Sequence, residues 1–103
     1  MAVTKTILLV DDDNELREAL AEQFDLYEGF TVIQAENATT GVKLAEAERT
    51  DLILLDVDMP DMDGREACKL MRTRGVRAPI IMLTGQDSDR TRFWGSIAAP
   101  MIM

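Results

Sequence analysis

The chain contains no histidine and a single cysteine, Cys68. Without histidine a zinc site or a Cys-His nucleophile pair is close to excluded, because imidazole supplies the usual nitrogen ligand and the usual general base. One cysteine excludes an internal disulfide framework, and Cys68 is expected to be a small helix residue. Positive charge is scarce as well: 11 Lys and Arg stand against 19 Asp and Glu, a formal net charge of −8. Phosphate backbones need Lys and Arg clustered on one face, so direct binding of nucleic acid by this chain is not expected. There is no apolar run long enough to span a bilayer, and no signal-type segment precedes the first strand, so no membrane association is expected and a cytoplasmic protein is implied. At 103 residues the chain allows one small domain.

The acids that are present are not evenly spread. Leu52 to Leu55 form an unbroken apolar run bounded by Asp51 and Asp56 and followed by Pro60 and Gly64, which fits a central strand, Asp51 to Asp56, buried on both faces and ending in a loop. A second run, Thr6 to Val10, stops at Asp11, Asp12 and Asp13 and reads as the first buried strand. Pro79 to Leu83 is a third such run and delivers Thr84 and Gly85 to the same rim. Phe30 to Ala35 alternates and is expected to be a less buried strand.

Between these strands lie three helical segments. Asn14 to about Tyr27 places Leu16, Ala19, Leu20, Phe24 and Tyr27 at helical spacing, with Glu15, Arg17, Glu18 and Glu22 on other faces, Asp13 as N-cap and Gly29 as the stop. Asn37 to Arg49 turns Val42, Leu44 and Ala45 inward, although Gly41 weakens that helix. Gly64 to about Arg74 buries Ala67, Leu70 and Met71 and ends at Gly75. Strand-helix-strand repetition with short connections predicts right-handed crossovers on a parallel sheet, an α/β architecture with helices on both faces. In such sheets the carboxyl ends of the strands carry the chemistry. Asp11, Asp12 and Asp56 meet there, and carboxylates so crowded raise one another's pKa unless a hard divalent cation sits among them. Asp61 and Asp63 are expected to be turn residues that bond their own loop backbone. Met59, Met62, Met71 and Met82 are expected to be packing residues.

The Val10 to Asp13 strand end, the loop from Asp56 to Gly64 and the Leu83-Thr84 pair, in that order and spacing, resemble the receiver domains of two-component response regulators over roughly residues 5–86. The resemblance implies a flavodoxin-like (CheY-like) fold with strand order 2-1-3-4-(5). It also implies phosphoryl transfer from a histidine kinase onto Asp56 in the presence of Mg²⁺. On the same resemblance Asp12 and Asp56 are direct metal ligands, Asp11 acts largely through water, and the backbone carbonyl of Asp58 supplies a further oxygen. Thr84 would bond a phosphoryl oxygen and act in switching.

The likeness stops at about residue 89. Residues 1–89 are read as an incomplete receiver and residues 90–103 as an aberrant tail, since the family's fifth strand with its aromatic switch residue, its Lys-Pro pair and its fifth helix are missing or replaced. Read from its third base, one permitted set of codons for that tail encodes a peptide similar to the family's continuation, so a frameshift is expected from about residue 90. Loss of the last strand would leave the fourth-strand edge open, and a homodimer through that edge and the tail, with Phe93 and Trp94 as anchors, is expected. Two other readings stand beside the phosphoacceptor. One is a truncated, switch-deficient interaction or dimerisation module. The other, suggested by Asp56-Val57-Asp58, is a phosphatase similar to the haloacid dehalogenases, which would need a downstream Lys, a later acidic pair and usually a cap domain.

Overall fold

Apolar runs with acidic ends become parallel strands in the computed structural model, which describes residues 4–83. The elements follow in the order β1 (Lys5–Val10), α1 (Asn14–Asp25), β2 (Phe30–Ala35), α2 (Ala38–Ala47), β3 (Leu52–Asp56), α3 (Gly64–Thr73) and β4 (Ile80–Leu83). All pairings are parallel and the strand order is β2-β1-β3-β4, as the sequence predicts for the first four strands. Thr84, the fifth-strand position, the tail of residues 90–103 and the tail contact of the expected homodimer lie outside the described residues.

Side-chain alternation along each strand divides the apolar residues between two faces. Leu8 and Val10 of β1, Ile53 and Leu55 of β3, and Ile80 and Met82 of β4 join one core with Ala38 and Val42 of α2 and Ala67, Cys68 and Met71 of α3. Each fully buried aliphatic side chain in that layer contributes roughly 1.5–3 kcal/mol. Met59 is buried in the same core and Met62 packs against it, so the methionines are packing residues as expected.

The opposite face is covered unevenly. Ile7 and Leu9 are buried there, but Leu52 and Leu54 of β3 and Ile81 and Leu83 of β4 are half-buried. The expectation that the central strand is buried on both faces therefore holds fully on one face only. Among the described residues, the helix on that face, α1, packs against β2 and β1.

Caps fix the helix ends. The Asp13 carboxylate accepts from Leu16 N–H at 3.1 Å, and the Asn37 side chain accepts from Thr40 N–H at 2.8 Å. Helix α1 ends at Asp25, earlier than the apolar spacing suggests, and Tyr27 is 62% exposed rather than part of the inward stripe. Gly29, at φ +100°, then reverses the chain into β2.

Helix α2 continues through Gly41. A Cβ at that position would lie 2.8 Å from both Val10 γ-carbons, so α2 reaches β1 because position 41 has no side chain. At Gly64 the close neighbour is backbone: a Cβ there would collide with the Asp56 carbonyl oxygen and lie 2.8 Å from Val57 Cα. The Gly64 amide also donates to the Val57 carbonyl at 2.8 Å, closing the loop that follows β3.

These two contacts differ in how easily they yield. Gly64→Ala is expected to destabilise the fold by about 2–3 kcal/mol, since rigid backbone must move. Gly41→Ala should cost less, about 1–2 kcal/mol, because the crowded atoms are the side-chain γ-carbons of Val10 rather than backbone and alanine restores helix propensity. Urea denaturation of the two variants checks the order, and an equal or reversed ranking would contradict it.

Candidate functional site

Parallel register places the acids. Val10 of β1 pairs with Leu55 of β3, so the next residues, Asp11 and Asp56, leave neighbouring strands side by side. Strands are about 4.8 Å apart, and one carboxylate oxygen from each of Asp11, Asp12 and Asp56 lies within 4.8 Å of the others. Asp11 is 4% exposed and Asp56 6%, while Asp12 stands in solvent. The three acids read from the sequence as one site are thus brought together, and they could hold a metal ion.

Burial and crowding act in the same direction on Asp56. Its pKa is raised from 3.8 to about 7, first by desolvation and then by the Asp11 carboxylate, with smaller contributions from Asp12 and Asp58. A hydrogen bond from the Asp58 backbone N–H opposes the rise without cancelling it. Asp58 itself is exposed, and it acts on Asp56 in two opposed ways, through its backbone N–H and through the weaker repulsion of its own carboxylate.

Asp11 is held on every side. Its amide donates to the Ala35 carbonyl at 3.1 Å, its carboxylate accepts from Asp13 N–H at 2.8 Å, and its carbonyl accepts from Arg17 Nη1 at 2.7 Å. Arg17 does not lie on a solvent face of α1 as its acidic neighbours do. It is 8% exposed, and its remaining named bonds run to Gln34 Oε1 at 3.0 Å and Asn14 Oδ1 at 2.7 Å. A sequence signal for this existed, because helical side chains lean toward the helix N-terminus and Arg17 sits in the first turn after the acidic strand end.

Asp61 and Asp63 divide their roles. Asp63 caps α3, accepting from Arg65 N–H at 2.7 Å, which is the local bonding expected of it. Asp61 also reaches across to α2. Its carboxylate accepts from Ala38 N–H at 3.1 Å, Thr39 N–H at 2.8 Å and Thr39 Oγ1–H at 2.6 Å, which adds a link to α2 to the own-backbone bonding expected of Asp61. A helix N-terminus favours an anionic partner because its first N–H groups are otherwise unpaired, and the hydroxyl and amides of this cap hold the Asp61 carboxyl below its ordinary pKa. Cys68 is fully buried, and desolvation pushes its thiol pKa up, which makes it a packing residue. Among the described residues no helix is long and apolar enough to cross a membrane.

Comparison with known proteins agrees with this geometry. The family model described as the response regulator receiver domain matches residues 7–95. The response regulator MprA of Mycobacterium ulcerans is 38% identical over 89 residues, covering 86% of this chain and 38% of that protein. The alkaline phosphatase synthesis transcriptional regulatory protein PhoP of Bacillus subtilis is 39% identical over 94 residues, 90% of this chain and 38% of the relative. The chain thus spans well under half the length of these curated relatives. Among solved structures, a CheY-like response regulator receiver domain protein from Methanospirillum hungatei superposes with a TM-score of 0.73 at 32% identity, covering 92% of this chain and 75% of the other. With its sheet order, its acidic strand ends and a family match over most of its length, the chain belongs to the response regulator receiver domain family.

Proposed function

We propose that Asp56 is the phosphoacceptor of a two-component phosphorelay, receiving a phosphoryl group from a phosphohistidine on a partner histidine kinase. The observation that carries this reading is the convergence of Asp11, Asp12 and Asp56 within 4.8 Å. Three carboxylates offer hard oxygen donors alone, a set suited to Mg²⁺ with several waters retained. Asp12 and Asp56 would be direct ligands, with Asp11 acting largely through water and the Asp58 carbonyl adding an oxygen. When bound, Mg²⁺ would supply positive charge that offsets the negative charge of the carboxylates and of the incoming phosphoryl group.

Asp56 must be ionised to act, and a carboxylate oxygen then attacks phosphorus as the bond to the imidazole nitrogen breaks. The electron pair of that bond stays on the imidazole, and an aspartyl phosphate is formed. Asp11 and Asp12 orient this end of the site, and the hydroxyl of Thr84 is assigned to a phosphoryl oxygen. The chain turns over no external substrate in this reading and works in the cytoplasm. The division into a receiver over residues 1–89 and a tail of different coding origin over residues 90–103 belongs to the same proposal, and sequencing the coding DNA tests it.

Intact mass after incubation with a small phosphodonor is expected to rise by one phosphoryl group in wild type with Mg²⁺, and not without Mg²⁺ or in Asp56→Asn. An adduct formed equally well by Asp56→Asn would overturn the assignment.

Asp56 also sets a pH dependence. Its pKa of about 7 in the folded chain lies above the ordinary 3.8, so the folded state binds this proton more tightly than the unfolded state. In chelator, this stability is fully present below about pH 4 and is lost as pH rises through about 7. Asp56→Asn removes the loss and should exceed wild type by on the order of 2–4 kcal/mol at about pH 8 in chelator, the gap narrowing toward acid pH. Mg²⁺ should raise wild-type stability most at the alkaline end. Urea denaturation with and without chelator measures both, and a wild type equally stable across this range without metal would count against the electrostatic account.

A further inference from the structure

The peptide group joining Asp11 to Asp12 is planar, so whatever fixes its carbonyl fixes ψ of Asp11 and φ of Asp12 together. Those two torsions decide how the two carboxylates face each other and face Asp56. The carbonyl of that peptide accepts from Arg17 Nη1 at 2.7 Å. The same guanidinium reaches Gln34 on β2 through Nε and Asn14 at the start of α1 through Nη2. It therefore ties the peptide between two candidate ligands to a neighbouring strand and to the helix that follows, and it does so while buried. A guanidinium can do this because its donors form a rigid planar fork, whereas a lysine ammonium is a point charge on a flexible stem.

We propose that Arg17 is a positioning residue for the cation site: it holds the Asp11–Asp12 peptide in the orientation that lets both carboxylates meet Asp56 around one ion. This rests on the metal-dependent phosphoacceptor reading above. Arg17 does not touch the ion; it acts through the backbone. The geometry separates this role from two others. A purely electrostatic role has the opposite sign, because removing a positive charge beside an anionic site strengthens cation binding. A purely structural role, fastening α1 to the sheet, lowers stability without altering the affinity of the folded protein for metal.

The test is calorimetric titration of the full chain with Mg²⁺, for wild type, Arg17→Met and Arg17→Lys, well below each variant's thermal midpoint. Ala19→Gly serves as control, since it weakens α1 at an exposed position away from Asp11. Arg17→Met and Arg17→Lys are each expected to lose about 10-fold or more in Mg²⁺ affinity, the usual scale for removing a group that orients a metal ligand. Ala19→Gly is expected to lower the thermal midpoint and leave the affinity unchanged. If Arg17→Met does not fold, Arg17→Lys decides alone. Wild-type affinity or tighter in the folded Arg17 variants overturns the proposal and leaves the phosphoacceptor reading standing. A wild type that binds no Mg²⁺ overturns both.

Discussion

Three carboxylates forced together at the end of a parallel sheet are the constraint on which the rest of this domain turns. The apolar runs of β1 and β3 must lie beside each other to bury Leu8, Val10, Ile53 and Leu55. Having paired in that register, they deliver Asp11 beside Asp56. The hydrophobic gain is spread over many side chains, each worth roughly 1.5–3 kcal/mol, whereas the electrostatic penalty falls on one small cluster. Hydrophobic pairing therefore wins, and the repulsion is left in place as a chemical resource.

Much of the surrounding structure restrains the backbone that carries those acids. Gly64 lets α3 start against the Asp56 carbonyl, and its amide closes the loop onto Val57. Arg17 holds the carbonyl of Asp11 and Asp61 anchors the same loop to α2. These groups come from different elements, yet all act within a few residues of Asp11 or Asp56. By comparison, the ion pair between Arg74 and Glu46, at 2.6 Å but half exposed, is of the surface kind that contributes about 0–1 kcal/mol.

The sheet and the acid triad were legible because both rest on short-range pattern. Continuous apolar runs with acidic ends give the strands, and strand-helix alternation with short connections gives parallel order. What was not legible depends on where a helix settles sideways. Arg17 shares its helix with exposed acids, so composition placed it in solvent. Its burial follows from the Asp11 carbonyl, which its place in the first turn of α1 hints at, and from Gln34 on β2, which no local pattern displays. Tyr27 fell at helical spacing, but the helix ends at Asp25 and leaves the ring outside. Asp61 looked like other loop aspartates. Its partner is the N-terminus of α2, some twenty residues earlier in the chain.

The separation of 45 positions between Asp11 and Asp56 has a kinetic meaning. In an unfolded or partly folded chain those carboxylates are far apart and hydrated, and helices α1 and α3 can form locally without feeling either. Closing so long a loop is entropically unfavourable before the sheet contacts compensate it. The mutual repulsion therefore arises only when β3 docks on β1, at the non-local step of folding, and the native pairing of those strands is where a bound cation would act on the rates of assembly and release.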